Sequence, residues 1–361
     1  MIDSEAKLAA LLPKLRAAKW IALDTEADSL HAYPEKLCLM QVSIEGHDAL
    51  LDTLARVDLA PVLRIFHDHE LILHGSDYDL RLLRKTFDFT PTRIFDTMLA
   101  ARLLGCKQVG LVSLVHHYLG VSLEKGPQKA DWAQRPLTER MERYARNDTH
   151  YLKPLAEMLA AELKAKGRLE WHKQTCVRFL GESAVVSPAN PDTDWRVKGA
   201  HLLGPRALAV VRELWRWRET EAVAANRPPY FVLMPETMVA LAQAAANAQP
   251  VHDLIPRRFS PRRSQGVIEA IEKGLACEHK PGPLRHHHDR LSEAQAHRYR
   301  DFERRRNRHA TELGLDPSLI ASRAMLLELA RNGETAKEQV LMKWQRELLE
   351  SGLALSPAAS P

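Results

Sequence analysis

Cysteine is scarce in this chain: four residues among 361, Cys38, Cys106, Cys176 and Cys277. They stand far apart and fit neither a zinc nor a redox spacing, so they read as reduced, packed thiols of a cytoplasmic protein. No apolar run reaches the roughly 18 residues a membrane span needs. The opening Met1-Ile2-Asp3-Ser4-Glu5 lacks the basic and apolar regions of a signal peptide. A further absence is local. The apolar run Trp20-Ile21-Ala22-Leu23 ends in two carboxylates, Asp24 and Glu26, with no Lys or Arg beside them.

What is present is ordinary in bulk and uneven in detail. Hydrophobic residues make up 45% and charged residues 27%, the mixture of a soluble globular protein long enough for two or three domains. Residues 1–170 carry 23 Lys and Arg against 24 Asp and Glu, whereas residues 171–361 carry 28 against 22. Arginine is dense at Arg257, Arg258, Arg262 and Arg263 and again at Arg304, Arg305, Arg306 and Arg308. A near-neutral half joined to a basic half suggests a catalytic unit with a polyanion-binding one, although solvated helix faces would look the same.

Periodicity gives the coarse order of elements. A helix is expected over 4–18, a strand over 20–25, and a three-strand antiparallel meander through Leu37–Ile44 and Asp48–Asp52. Helix, strand and helix follow through Leu59–His67, Leu71–Gly75 and Asp77–Phe87. From Phe95 the pattern is mostly helical, with helices over 96–104, 111–119 and 138–166, the last capped by Thr138 and kinked at Pro154. Strands followed by helices imply an α/β layer with a mixed sheet. Beyond a linker over 181–203, two small helical modules are expected, over 204–280 and 290–355. Each has a long helix, a proline turn and a shorter helix. The segment with His286, His287 and His288 reads as a solvated linker, and the tail from Ser356 as disordered.

Alternation places Asp24 and Glu26 on one side of a strand end. Two like charges so close repel, and a divalent cation would relieve them, although two solvated acids at an exposed strand end are the plainer alternative. Asp79 falls where a strand passes into a helix, with Asp77 before it as the expected N-cap. Tyr144 and Asp148 are one helical turn apart and face the same way. Four carboxylates on these elements suit a pair of hard divalent ions that clamp a phosphodiester.

Three segments, Leu23-Asp24-Thr25-Glu26, His74-Gly75-Ser76-Asp77-Tyr78-Asp79-Leu80 and Tyr144-Ala145-Arg146-Asn147-Asp148, resemble in order and spacing the motifs of the DEDD 3′–5′ exonucleases. The subclass with tyrosine in the last motif fits, and within it the ribonuclease D family. Asp131-Trp132-Ala133-Gln134-Arg135-Pro136-Leu137 is similar to that family too, and the segment over 208–242 resembles an HRDC domain, with a second HRDC-like module near the C-terminus. The resemblance implies a ribonuclease H-like first domain over 1–180. It also implies two divalent cations, Mg²⁺ or Mn²⁺, on Asp24, Glu26, Asp79 and Asp148, with Tyr144 orienting the attacking water. The expected reaction is removal of nucleoside 5′-monophosphates from the 3′ end of RNA such as tRNA precursors. A 3′–5′ DNA exonuclease and a non-catalytic RNA-binding scaffold are the alternatives. Leu30, Gln41, His74, Lys125, Arg257, Arg258, Arg262 and Arg263 are candidate substrate contacts. No membrane partner is expected, and the oligomeric state stays open with a monomer favoured. One departure stands out: the family pattern has an aromatic after the position of Glu26, and here Ala27-Asp28 follow.

Overall fold

The computed structural model describes residues 1–124, 126–184, 190, 192–278, 281–282 and 291–350. Lys125, the three-histidine segment and the tail from Ser356 lie outside them. The chain falls into two compact units. The first comprises the described residues of Met1–Glu26, Leu37–Val185 and Asp289–Pro361; the second comprises those of Ala27–Lys36 and Val186–His288.

The first unit is built on a five-stranded sheet in the order β3-β2-β1-β4-β5. Its strands are β1 (Ile21–Ala27), β2 (Leu37–Ile44), β3 (His47–Asp52), β4 (Glu70–Leu73) and β5 (Arg93–Asp96). β2 and β3 are antiparallel with Gln41 opposite Leu50, β1 and β4 are parallel, and β4 and β5 are parallel, so the sheet is mixed as expected. All eight residues of β2 are buried, as a strand covered on both faces requires. β1 begins wholly buried at Ile21, Ala22 and Leu23; beyond them Thr25 stays buried while Asp24, Glu26 and Ala27 are partly exposed. Its C-terminal end therefore brings the first carboxylates to the edge of the core.

Helices α1 (Glu5–Ala17), α2 (Ala60–Asp68), α3 (Asp77–Phe87), α4 (Thr97–Leu104), α5 (Leu111–Leu119), α6 (Glu139–His150), α7 (Leu152–Ala165) and α8 (Leu169–Ala184) complete the layer. Leu8, Leu11 and Leu15 form the buried stripe of α1. Three expectations need correction. Arg93–Asp96 is a strand, and the helix after it begins only at Thr97. The single helix over 138–166 is two, because Pro154 has no N–H for the carbonyl of His150 and the chain breaks between them at Tyr151. The N-cap of α3 is Ser76, and Asp77 is the first helical residue, paired with Arg81 one turn on.

The second unit contains α9 (Pro205–Ala224), α10 (Pro229–Val232), α11 (Pro235–Ala246) and α12 (Pro261–Ala276). Leu208, Val211, Leu214, Leu241 and Val267 lie at the centre of its core. The strap Ala27–Lys36 belongs to it. Asp28, wholly buried, closes the strap by accepting from the Lys36 N–H at 2.7 Å and meeting its Nζ at 2.6 Å. Tyr33 donates from its hydroxyl to Glu219 Oε2 at 2.5 Å and from its N–H to Asn226 Oδ1 at 3.2 Å. The unusual Ala27-Asp28 pair thus begins a strap held by its own carboxylate.

The last module repeats the series of a long helix, a four-residue helix and a shorter helix in α13 (Glu293–Leu313), α14 (Pro317–Ile320) and α15 (Arg323–Asn332), followed by α16 (Glu334–Val340) and α17 (Lys343–Glu350). It shares one hydrophobic core with the α/β layer: Leu103, Leu114 and Leu159 pack with Ile320, Leu326 and Trp344. Arg168 spans the two, donating to Leu103 O at 2.8 Å and Leu313 O at 2.9 Å. Among the described residues no helix is long and apolar enough to cross a membrane.

Candidate active site

β1 presents Asp24 and Glu26 from alternate positions, and α6 supplies Asp148. Carboxylate oxygens of these three lie within 4.8 Å of one another. α6 is set by the Thr138 cap, whose hydroxyl accepts from Met141 N at 3.2 Å, and by its contacts with the β2–β3 hairpin. There Arg146 donates to Asp48 O at 2.5 Å, His150 Nδ1 lies 2.7 Å from Asp48 Oδ2, and Thr149 and Ser43 share a hydrogen bond of 2.7 Å.

Asp79 lies in the first turn of α3 and is itself buried. Thr25, between the two strand carboxylates, donates to Asp79 Oδ1 at 2.5 Å. The turn that starts α3 is held by Asp96. Its buried carboxylate accepts from Gly75 N (3.1 Å), Ser76 N (2.8 Å) and Ser76 Oγ (2.8 Å), while also capping α4 through Met98 N and Leu99 N. Gly75 has φ +67°, and a Cβ there would sit 2.7 Å from the Met98 methyl. One carboxylate thus fixes both the strand-to-helix junction carrying Asp79 and the start of the next helix.

Electrostatics single these acids out. Burial, then the charges of Asp79, Asp148 and Glu26, pushes Asp24 well above the usual carboxylate range. Burial and then Asp148 and Asp79 raise Glu26 to about 9. Asp148 is raised to about 7, first by burial and against the hydrogen bond it accepts from Tyr144; Asp79 is raised to about 6 by burial, against the bond from Thr25. Among the described residues no Lys or Arg is paired with any of the four. Asp148 Oδ2 is buried without a hydrogen-bond partner. An all-oxygen donor set with an orphaned carboxylate oxygen and uncompensated negative charge fits a hard divalent cation. Burial and the neighbouring carboxylates push the Tyr144 phenol upward, so the side chain acts as a hydroxyl.

The other candidates are scattered. His74 lies at the β4–α3 junction, with Nδ1 2.8 Å from Thr97 Oγ1 and Nε2 buried without a partner; burial lowers its pKa. Gln41 is wholly buried in β2, and its amide has no partner, so in this conformation it offers nothing to a substrate. Leu30 is exposed on the strap. Arg258 donates to Phe231 O at 3.1 Å, and Arg262 and Arg263 both engage Glu221, the former through two bonds of 2.7 Å. Arg257 is exposed. Thr25 and Asp96 were not singled out by sequence reasoning. The signal for Asp96 was available: an Asp before a helical run is an N-cap pattern.

The 3′–5′ exonuclease family model matches residues 1–164, and the HRDC domain model matches residues 207–247. Ribonuclease D of Zymomonas mobilis is 33% identical over 295 residues, 79% of this chain and 75% of the relative. Ribonuclease D of Gluconacetobacter diazotrophicus is 30% identical over 76% of this chain and 72% of the relative. The crystal structure of Escherichia coli RNase D, an exoribonuclease involved in structured RNA processing, superposes with a TM-score of 0.73 at 25% identity, over 97% of this chain and 98% of that one. With likeness of this extent in both sequence and fold, the chain belongs to the ribonuclease D family.

Proposed function

We propose that this chain is a metal-dependent 3′–5′ exoribonuclease. It hydrolyses the terminal phosphodiester of structured RNA, tRNA precursors among them, and releases nucleoside 5′-monophosphates. The observation that carries the proposal is the group of half-buried carboxylates with no described Lys or Arg paired to neutralise them. A scaffold has no use for such a group, because each acid raises the cost of ionising the next.

Asp24, Glu26, Asp79 and Asp148 would hold two divalent ions, Mg²⁺ or Mn²⁺. Bound there, the ions supply Lewis-acid stabilisation of the entering and leaving oxygens. The chain's own residues do the positioning. Thr25 fixes the Asp79 carboxylate against the strand. Asp96 fixes the turn beneath it. Tyr144 donates to Asp148 and holds a hydroxyl where an attacking water can be oriented. Arg257 and the neighbouring arginines of the second unit are the proposed contacts to the RNA backbone, which would position the strand without reading its sequence.

The test is hydrolysis of a 5′-labelled RNA with an unpaired 3′ end, beside a DNA of the same sequence. Stepwise shortening from the 3′ end, mononucleotide products, full loss with chelator and slower cutting of the DNA are expected, since the 2′-hydroxyl distinguishes the two substrates. Internal cuts, or intact RNA with folded protein and Mn²⁺ present, would refute it.

A further inference from the structure

We propose that the outer face of α6 beside Tyr144 is a phosphate subsite for the RNA strand, with Arg143 as the residue that makes the contact. The proposal rests on the exoribonuclease reading and deepens it. It names a backbone contact outside the four acids and outside the arginines of the second unit.

The site is a cleft of about 270 Å³, measured to its open mouth, lined by Glu124, Gly126, Arg140, Arg143, Tyr144 and Asn147. Helical spacing explains four of the six. Arg140, Arg143, Tyr144 and Asn147 stand at i, i+3, i+4 and i+7 of α6, so one stripe of the helix carries them all. Glu124 and Gly126 form the other wall. Gly126 keeps the cleft open: a Cβ there would sit 1.5 Å from Tyr144 Cδ2, so the backbone lies on the ring and no side chain fills the space.

The charge of the cleft favours an anion. Two guanidiniums and an amide line it against one carboxylate, that of exposed Glu124. The arginines of α6 differ in what they do. Arg146 is spent on its surroundings, donating to Asp48 O at 2.5 Å and pairing with Glu142 at 3.4 Å. Arg143 is exposed, and among the described residues its side chain has no hydrogen-bond or ion-pair partner. The same is true of half-buried Asn147, one turn on. A planar guanidinium presents its donors in a fork that matches two phosphate oxygens. The cleft is smaller than the roughly 300–1,000 Å³ pockets that enclose a whole small molecule, so it suits one group presented from outside. Arg143 and Asn147 immediately precede Tyr144 and Asp148, so the cleft adjoins the place where the ions would hold the scissile phosphate. Its own ligand is therefore assigned to another linkage of the same strand.

The experiment uses the full-length enzyme with saturating Mn²⁺ and a short single-stranded RNA. It reads kcat and KM of the first cleavage, with melting temperatures as a folding control. Arg143→Ala should raise KM about tenfold, the scale of one charge-assisted hydrogen bond, and leave kcat within about twofold. Arg143→Lys should recover part of that loss, because the charge returns without the fork. A set of RNAs, each with one uncharged methylphosphonate linkage 5′ of the scissile bond, locates the contact. A 2′-deoxynucleotide before that linkage protects it, and the matching deoxy phosphate is the control. One of these RNAs should raise the wild-type KM about tenfold and cost Arg143→Ala nothing further. Arg304→Ala, which removes an equal charge from α13, should leave KM unchanged. A wild-type KM in Arg143→Ala, an equal rise in Arg304→Ala, or methylphosphonates that all cost the variant as much as the wild type overturn the inference. Binding in chelator separates it from the reaction: the slope of log affinity against log salt should fall by about one in Arg143→Ala. A wild type that binds RNA but cuts none overturns the exoribonuclease reading, whereas an unaltered slope overturns the subsite.

Discussion

Two groups of acids removed wholly or partly from solvent in this protein are treated in opposite ways. In the helical unit Glu213, only 4% exposed, is met by Arg216 at 2.7 Å, Lys273 at 3.0 Å and Arg212 at 3.5 Å. Glu221 is clasped by Arg262 and Arg263. In the α/β layer half-buried Asp24, Glu26 and Asp148 stand with buried Asp79, and among the described residues no Lys or Arg is paired with them. Basic side chains are plentiful, so scarcity does not explain the difference. Where an acid is structural, the chain supplies the counter-charge itself. At the four acids proposed to hold ions from solution, the described residues supply no counter-charge, which on that proposal leaves a less stable metal-free state.

The largest expected effect comes from breaking the uncompensated group. Asp24→Asn or Asp148→Asn should lower the hydrolysis rate by about a thousandfold or more, since each removes a carboxylate that can hold a cation. The same change should raise the melting temperature of the metal-free protein at pH 8 in calorimetry, because it deletes repulsion. Next is the compensated group. Glu213→Gln should leave the rate on a short RNA unaltered but destabilise the helical unit by about 2 kcal/mol in denaturant unfolding. That is less than the loss from a fully enclosed pair, because Arg216 and Lys273 keep contact with water.

A third effect separates the groups by pH. In the folded chain Asp79, Asp148 and Glu26 are raised to about 6, 7 and 9, while the unfolded groups titrate near 4. A raised acid keeps its proton longer when folded. Its contribution to stability is therefore complete below about pH 4 and is lost as pH climbs through 6 to 9. The metal-free protein should melt at a lower temperature at pH 9 than at pH 6, and Mg²⁺ should flatten that slope by taking the place of the protons. The smallest effect concerns RNA. Arg257→Ala should lessen the salt dependence of RNA binding by about one counterion, measured in the presence of chelator, while Arg262→Ala, whose guanidinium is spent on Glu221, should change it less.

Much of this was legible in the chain, for physical reasons that also mark the limit. Asp24 and Glu26 could be paired from sequence because strand alternation is local, and Tyr144 with Asp148 because a helical turn is local. The hydrogen bond from Thr25 to Asp79 crosses 54 positions and has no local signature. The same holds for Gly126, where a Cβ would sit 1.5 Å from Tyr144 Cδ2, so that the informative feature is the absence of a side chain. A buried stripe on α15 announces that one face is covered but not by what. That Leu326 packs with Leu103 and Leu114 in one core had to come from the structure. Strand β5, four residues long, is too short to carry a period before the helix that follows it. The arginine clusters were visible as density of charge, yet density does not reveal pairing. Arg304 and Arg305 both turn to Asp301, at 2.7 and 2.6 Å, within their own helix.

The central claim is that the uncompensated carboxylates hold divalent cations. Anomalous diffraction from crystals soaked in Mn²⁺ and a nucleoside 5′-monophosphate tests it most directly. The account predicts manganese peaks between Asp24, Glu26 and Asp148, with Asp79 drawn into the same coordination and the peaks gone in Asp24→Asn. An anomalous map without manganese at these carboxylates, from crystals with the nucleotide bound, would contradict it.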